Sequence, residues 1–211
     1  MMTRETWLKS RTLGIGGSDA AAIIGLNPYM TNVELWEIKT GRKKKPDISD
    51  KECVKYGIAA EPLLIKMFAL DFPDYEVRHK DFDIRRHPKY PFIIGSLDGE
   101  LTDKKTREKG ILEIKTTNIL QSMQKEKWND RVPENYFCQV LQYLLITGYS
   151  FAILKAQLKS EFNGEVRLST RHYRFEAKNY AEDMEYLLEQ EIKFWRHVET
   201  DTCPNLVLPP I

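Results

Sequence analysis

The chain has 211 residues, 42% of them hydrophobic, and a formal net charge of +1 at pH 7. This length allows one large core, and we expect a single domain over residues 1–211. No apolar run approaches a membrane span, and the amino terminus lacks the apolar stretch of a signal peptide, so a cytoplasmic protein without a membrane partner is expected. The near-neutral charge argues against a protein coated in positive potential but allows a localised basic groove.

Cysteine and histidine give no indication of a disulfide framework or a soft-metal site. The three cysteines, Cys53, Cys138 and Cys203, are far apart and odd in number, which favours reduced thiols. None of the four histidines has a partner at metal-ligand spacing. Each histidine is therefore interpreted as structural or exposed.

The first candidate site is a glycine-rich segment near the amino terminus. A short helix over residues 3–10 leads to Arg11, and Ser18 is predicted to cap a second helix over residues 19–24. The amides before that helix, the Arg11 guanidinium and the Ser18 hydroxyl could together hold a phosphate. A tight turn with Arg11 in solvent is the alternative, because a glycine-rich loop alone is a weak signal.

Further helices are predicted on either side of a basic loop. Thr31 and Glu34 have the spacing of a capping box at a helix start, and the basic stretch over residues 42–49 is predicted to be a loop. A helical pattern returns over residues 50–70, with Ile58 among its packed side chains and Pro62 as a kink or break.

Glu61, directly before that proline, has two interpretations. It is either a carboxylate at a helix end, which the residues alone favour, or a third acidic group directed at a metal centre.

Residues 92–117 contain two apolar runs rich in β-forming residues, separated by a polar turn, which predicts a hairpin. Because strand side chains alternate, Glu113 and Lys115 should point to one face and Ile114 to the other. A carboxylate and an ammonium within a hydrophobic strand cost free energy on burial unless they have a use. The turn should bring Asp98 to the same end of the sheet, so that two carboxylates and one lysine converge.

This trio suits metal-assisted phosphodiester hydrolysis. Mg²⁺ prefers one or two carboxylates, with waters and phosphate oxygens completing its shell. Asp98 and Glu113 would supply the carboxylates, beside the Ile114 backbone carbonyl, and Lys115 could orient the attacking water and offset charge on the phosphate. The alternative is a surface hairpin with an ordinary ion pair, because the Asp…Glu-x-Lys pattern is short.

A helix predicted over residues 133–148 carries Tyr136, Gln139 and Tyr143 along one stripe. Gln139 either faces solvent or positions a water or phosphate next to the hairpin carboxylates. Two more strands, over residues 151–158 and 166–175, should be joined by a turn at Asn163-Gly164, and a long amphipathic helix follows.

In chain order these motifs resemble the YqaJ-like viral recombinase family, which includes the phage lambda-type alkaline exonucleases, within the PD-(D/E)XK nuclease superfamily. The resemblance implies an α/β fold with a PD-(D/E)XK (restriction-endonuclease-like) core, a mixed central sheet flanked by helices. The proline of the superfamily name is missing here, and Leu97 stands directly before Asp98. This position is variable in the wider family. The matching segments are Trp7 with Arg11, and residues 14–20, 57–62, 95–99, 112–116 and 136–143.

The resemblance implies a Mg²⁺-dependent exonuclease that degrades one strand of duplex DNA from its 5′ end. Such an enzyme releases 5′ mononucleotides and leaves 3′ single-strand overhangs for recombination by strand annealing. Two Mg²⁺ ions, or Mn²⁺, would be held by Asp98, Glu113, the Ile114 carbonyl and Glu61. The remaining implied site residues are Lys115 and Gln139 for the attacking water, and Arg11, Ser18, Ser96 and Tyr136 for the 5′ phosphate and DNA.

The family also implies a homotrimeric ring around double-stranded DNA ends, a single-strand DNA annealing protein as partner, and a bacterial or prophage origin. A ring would explain how a nearly neutral subunit holds DNA, because three modest patches meet in one channel. Two other functions remain open: an endonuclease or junction resolvase on the same core, and a non-catalytic module that binds DNA ends.

Overall fold

A computed structural model describes residues 3–119 and 122–208; the other positions of the expected 1–211 domain lie outside the described residues. The described residues form seven α-helices, seven strands and one 3-10 turn, Ala177–Tyr180. The helices are α1 Arg4–Thr12, α2 Gly17–Ile23, α3 Asn32–Lys39, α4 Glu52–Asp71, α5 Ser122–Glu126, α6 Glu134–Thr147 and α7 Ala181–Glu199. The strands are β1 Tyr75–Arg78, β2 Arg85–Arg86, β3 Ile94–Gly95, β4 Gly99–Asp103, β5 Lys109–Ile119, β6 Phe151–Phe162 and β7 Glu165–Glu176.

Five strands form one mixed sheet in the order β1-β4-β5-β6-β7. β5 and β6 are parallel, because α6 carries the chain back between them, and the other pairs are antiparallel. The predicted hairpin is β4-β5, and Asn163 and Gly164 form the predicted β6-β7 turn with positive φ angles of 51° and 77°. β2 and β3 pair separately as a short ribbon.

Helices cover both faces of this sheet, as the predicted fold class requires. Leu64 and Phe68 of α4 pack on one face against Leu112 and Ile153, and α6 packs on the other against a larger apolar cluster. Burying each such side chain contributes about 1.5–3 kcal/mol. None of the helices in the described ranges combines the length and hydrophobicity that crossing a bilayer requires.

Three local predictions need correction. Gly16, not Ser18, is the N-cap of α2, because the Asp19 carboxylate three residues later accepts a hydrogen bond from the Gly16 N–H at 3.1 Å. Pro62 does not break its helix, since α4 continues through it to Asp71. Ile58, expected on the packed side of α4, is exposed. By contrast, the Thr31–Glu34 capping box is confirmed by reciprocal hydrogen bonds.

Candidate active site

The end of the β4-β5 hairpin brings Asp98 against β5. Gly99, the first residue of β4, lies opposite Leu112, so the pairing of β4 with β5 does not extend to Ile114. The Ile114 N–H instead donates to Asp98 Oδ2 at 2.7 Å. Because the N–H and C=O of a strand residue point to the same side, the Ile114 carbonyl is also directed at this edge.

Glu113 is the most deeply buried of the acidic residues at this edge, with 1% of its surface exposed. Its Oε1 accepts hydrogen bonds from Lys115 Nζ at 2.5 Å and from Gln139 Nε2 at 2.8 Å. Gln139 Nε2 also donates to the Tyr143 hydroxyl at 2.9 Å, which fixes the amide on the predicted α6 stripe. Glu113 Oε2 is buried and has no hydrogen-bond partner within the described part of the chain.

Glu61 lies in the middle of α4, so the favoured helix-end interpretation is wrong, while its role as a third acidic group directed at a metal centre stays a prediction. The small residues near it allow α4 to approach β5 closely, since a Cβ on Gly57 would lie 3.1 Å from Thr116 Oγ1. Burial and the charge of Asp98 raise the pKa of Glu61 to about 7. The structure thus brings Glu61 within electrostatic range of Asp98.

The acidic groups raise one another's proton affinity. Burial, followed by the charge of Asp98, raises the pKa of Glu113 to about 8. Burial also raises the pKa of Asp98, against the opposing effect of Lys115. Burial by itself lowers the pKa of Lys115, but the charges of Glu113 and Asp98 together raise it above its ordinary value. A cation added among these carboxylates would relieve their repulsion.

The donors at this edge fit a hard divalent cation. They are two carboxylates and a backbone carbonyl, and one buried carboxylate oxygen, Glu113 Oε2, has no hydrogen-bond partner in residues 3–119 and 122–208. Buried polar atoms are nearly always paired, so this oxygen indicates a ligand. In residues 3–119 and 122–208 no three His, Cys, Asp or Glu side chains enclose a metal by themselves. Water and phosphate oxygens would have to complete the shell, which is the usual arrangement for Mg²⁺.

A second cluster gathers around Arg11. Its guanidinium lies 4.5 Å from the centre of the Trp7 ring, and the Trp7 indole N–H donates to Ser96 Oγ at 3.0 Å. Arg11 and Ser96 line one narrow cleft, which also includes Tyr143, and Arg11 and Ser18 line a larger cavity beside it. Ser18 and Ser96, which the resemblance assigns with Arg11 to the 5′ phosphate, therefore each line a pocket that Arg11 also lines.

The amides expected to bind phosphate are only partly free. The Asp19 carboxylate already accepts the Gly16 N–H, which leaves the cations as the main attraction for an anion here. Tyr136, the remaining predicted substrate residue, lies beside Lys115 instead, with its ring centre 5.2 Å from Lys115 Nζ.

His79 is a site residue that the sequence analysis missed. One ring nitrogen lies 2.6 Å from the Asp98 carbonyl and the other lies 3.0 Å from Asp81 Oδ1. Burial alone would lower the pKa of His79, but these two hydrogen bonds raise it. Only the register of β1 against β4 shows that His79 comes beside Asp98, and no local sequence signal could have found it.

Solved structures of low sequence identity share this fold. LHK-Exo, an alkaline exonuclease from Laribacter hongkongensis, aligns over 93% of both chains with a TM-score of 0.63 and 15% identity. A phage-related exonuclease from Haemophilus somnus 129PT aligns over 90% of this chain and 96% of its own, with a TM-score of 0.56 and 12% identity. The predicted PD-(D/E)XK-like fold class is thereby confirmed.

Sequence comparison gives the family. The uncharacterized protein YqaJ of Bacillus subtilis (strain 168) is 34% identical over 198 residues, which are 92% of this chain and 56% of that protein. The chain thus spans little more than half the length of this curated relative. The sequence model of the YqaJ-like viral recombinase domain matches residues 6–150. The chain therefore belongs to the YqaJ-like viral recombinase domain family.

Proposed function

We propose that this protein is a metal-dependent deoxyribonuclease that degrades one strand of duplex DNA from its 5′ end and leaves a 3′ single strand. The observation that carries the proposal is the buried Glu113 Oε2, which has no hydrogen-bond partner within the described part of the chain, on the carboxylate whose Oε1 accepts from Lys115. An ordinary surface ion pair would expose both groups to water and would not need a glutamine to hold the carboxylate. The arrangement is instead typical of a site that holds a cation and a water.

Two Mg²⁺ ions, or Mn²⁺, are the proposed cofactors. Asp98, Glu113 and the Ile114 carbonyl would hold one ion, and Glu61 would contribute to holding the second. Bound Mg²⁺ would supply Lewis-acid polarisation of the scissile phosphate and lower the pKa of a water.

The protein's own groups would position the reactants. Lys115, fixed by Glu113 Oε1, donates a hydrogen bond to the attacking water and offsets negative charge on the pentavalent phosphate. Both N–H groups of the Gln139 amide are used by Glu113 and Tyr143, which leaves its oxygen to accept a hydrogen bond from the same water. The water oxygen bonds to phosphorus as the bond to the 3′ oxygen breaks, which releases a 5′ mononucleotide.

The direction of digestion, from the 5′ end, would be set by the residues around Arg11. An enzyme that advances from a 5′ end needs an anion pocket for the terminal phosphate, separate from its metals. Arg11, Ser18 and Ser96 offer a cation and two hydroxyls for this purpose, and Arg11 is close enough to Asp98 to influence its pKa. Such proximity suits a terminal phosphate one nucleotide away from the scissile one.

We further propose that the protein works as a homotrimeric ring on double-stranded DNA ends and delivers its 3′ strand to a single-strand annealing protein. Membership in a viral recombinase domain family supports a recombination role. The net charge of +1 supports a ring, because one nearly neutral subunit holds DNA weakly. Sedimentation with and without linear duplex would test the trimer.

The decisive experiment is digestion of a linear duplex with a 5′ phosphate on only one strand, with and without Mg²⁺. We expect the phosphorylated strand to be lost first, and only when Mg²⁺ is present. Equal attack on closed circles would favour an endonuclease or junction resolvase on the same core. Binding to DNA ends without any cleavage would favour a non-catalytic module.

A further inference from the structure

The loop between β1 and β2, residues 79–84, contacts both parts of the candidate site. The His79 ring contacts the main chain of Asp98, a proposed metal ligand. Three residues later, the Phe82 ring packs on Trp7, which lies beside the proposed 5′-phosphate pocket. Residues 79–84 are therefore called the bridging loop.

The contact of His79 with Asp98 is fixed from two sides. Nδ1 of the ring lies 2.6 Å from the Asp98 carbonyl oxygen, and Nε2 lies 3.0 Å from Asp81 Oδ1. A carbonyl and a carboxylate both accept hydrogen bonds, so each ring nitrogen donates one, and the ring cannot turn without losing both. Asp81 thereby orients His79, and His79 holds the backbone from which the Asp98 carboxylate projects.

Phe82 has a backbone conformation that needs support from its contacts. Its φ angle is 55°, in the left-handed region, where a bulky residue is an outlier. Its ring centre lies 5.8 Å from that of Trp7 at an interplanar angle of 60°, a favourable tilted arrangement. Since 37% of Phe82 is exposed, core packing does not account for this strain, and strained residues cluster at functional sites.

Helix α1 depends on Trp7 for its placement. Among the α1 side chains that the structure describes none is buried, and only Trp7, Ser10 and Arg11 are half-buried. The Trp7 indole N–H donates to Ser96 Oγ at 3.0 Å, and the Arg11 guanidinium lies 4.5 Å from the centre of the Trp7 ring. The contacts of Trp7 with Ser96 and Phe82 therefore decide where Arg11 lies.

These contacts form a closed circuit. Ser96 and Asp98 are two residues apart on one segment; Trp7 holds the first, His79 holds the second, and the bridging loop connects Trp7 to His79. A cavity of about 480 Å³ is lined by this loop and by the residues on either side of Asp98, so the two segments are not packed solidly together. Their relative position depends on the few contacts of the circuit.

We infer that the bridging loop sets the spacing between the 5′-phosphate pocket and the metal ligands, with His79 and Phe82 as positioning residues, and thereby limits the product to one nucleotide. This inference rests on the proposed function. When the terminal phosphate lies at Arg11, the phosphodiester bond that lies at Asp98 is the one cleaved. A fixed spacing selects one bond, and a looser spacing should admit the next bond along the strand.

The first test removes the Phe82 ring. Asparagine tolerates a left-handed φ angle, so Phe82→Asn should fold with less strain while losing the contact with Trp7. On linear duplex labelled at its 5′ phosphate, the fraction of label released as dinucleotide or longer should rise by roughly two- to tenfold, the effect of losing one aromatic pair. Phe82→Tyr keeps the ring and should release mononucleotides like wild type.

Arg107→Asn is the control for this substitution. Arg107 also has a positive φ angle, 66°, but lies in the β4-β5 turn, so its replacement relieves similar strain without touching the circuit. Its product lengths should equal those of wild type.

The second test measures backbone order without metal or DNA. In EDTA, amide hydrogen exchange in residues 95–99 should be faster in His79→Leu than in wild type by roughly two- to tenfold, because the Asp98 backbone loses a hydrogen bond. His79→Asn should stay closer to wild type, because its amide can donate from nearly the position of Nδ1. Phe82→Asn should exchange faster in α1 by a similar factor.

His197→Leu is the control for exchange. His197 Nδ1 also lies near a main-chain carbonyl, 3.1 Å from that of Thr202, but it belongs to α7 and makes no contact with the circuit. Its replacement should leave exchange in residues 95–99 and in α1 unchanged.

The outcomes separate the bridging loop from the nuclease. If Phe82→Asn gives the product lengths of Arg107→Asn, or if His79→Leu exchanges like His197→Leu, the loop does not set the spacing and the inference is overturned. Release of mononucleotides by wild type would still support the nuclease in that case. If wild type leaves linear duplex intact with Mg²⁺ present, the proposed function fails, and the inference on product length fails with it.

Discussion

The main-chain N–H of Ile114 donates a 2.7 Å hydrogen bond to the Asp98 carboxylate and thereby joins the residue directly before β4 to the centre of β5. This contact substitutes for a strand pairing that ends at Gly99. It also orients Asp98 toward the edge at which Glu113 Oε2 has no hydrogen-bond partner among the described residues. One carboxylate thus makes the sheet-edge hydrogen bond and belongs to the proposed cation site.

This relationship predicts the behaviour of Asp98→Asn. The amide oxygen can still accept the Ile114 N–H, so the fold should remain, but one of the charges needed by a divalent ion is lost. Mg²⁺ should therefore raise the melting temperature of wild type by roughly 2–4 °C for each kcal/mol of binding free energy. It should leave the melting temperature of the variant unchanged. Differential scanning fluorimetry at increasing Mg²⁺ would measure this.

Asp50→Asn is the matched control, because the Asp50 side chain is fully exposed and away from the site. It should respond to Mg²⁺ like wild type. A Mg²⁺ shift of equal size in Asp98→Asn would remove Asp98 from the proposed ligand set.

Lys115→Ala separates binding from chemistry. Lys115 contacts Glu113 and faces the Tyr136 ring, so its loss should leave DNA-end binding nearly intact. Cleavage should fall by roughly 10²–10⁴-fold, the range for a group that stabilises charge or moves a proton in the transition state. Single-turnover digestion and a gel-shift titration on the same duplex would measure both quantities.

Lys105→Ala, in the exposed β4-β5 turn, should leave both quantities unchanged. If Lys115→Ala cleaves as fast as this control, the lysine has no part in the reaction. If the wild type is itself inactive, the non-catalytic module is favoured.

Local patterns predicted much of the structure. The alternation around Glu113 and Lys115 placed both side chains on one face, and the spacing of Gln139 and Tyr143 placed them on the stripe that meets that face. These predictions succeeded because strand and helix periods fix side-chain direction within one element.

Other features depended on contacts between distant segments. Ser18 is predicted to cap α2 because its hydroxyl is a good acceptor, yet Gly16 is the N-cap. The Asp19 carboxylate that accepts the Gly16 N–H also pairs with Lys39, which is 20 residues away. His79 reaches Asp98 only through the sheet register. Glu191, on one face of a long amphipathic helix, gave no sign that it would be fully buried.

Arg11→Ala tests the proposed 5′-phosphate grip. Arg11 makes no ion pair within the described ranges, so its removal should cost little stability. The kcat/KM for 5′-phosphorylated linear duplex should fall by roughly tenfold or more, because a charge-assisted contact to phosphate contributes about 1.5–3 kcal/mol. Digestion of duplex with a 5′ hydroxyl should change much less.

Arg11→Lys should recover only part of this preference, since an ammonium lacks the two-pronged geometry of guanidinium. Full activity of Arg11→Ala on closed circular DNA would instead favour an endonuclease.

Glu191 in α7 predicts a pH dependence of stability that is unrelated to catalysis. Its side chain is fully buried, and neither carboxylate oxygen has a hydrogen-bond partner within the described residues. Burial, followed by the charge of Asp19, raises its pKa well above the ordinary value. At a pH between the ordinary pKa of Glu191 in the unfolded chain and its higher pKa in the folded protein, the folded protein holds a proton that the unfolded chain has released.

In that pH range the free energy of unfolding should fall as pH rises, by up to about 1.4 kcal/mol per pH unit from this one group. Below the unfolded pKa both states are protonated and Glu191 has no effect. Glu191→Gln should remove this contribution, so the variant should gain stability over wild type from pH 5 to pH 8 in urea unfolding.

Glu189→Gln, an exposed position two residues away, is the control and should follow the wild-type curve. A second variant, Glu191→Leu, covers the case in which the glutamine amide is itself poorly paired among the apolar neighbours Leu187 and Phe194. If both Glu191 variants lose stability with pH as steeply as wild type, the buried carboxylate is not the group that titrates.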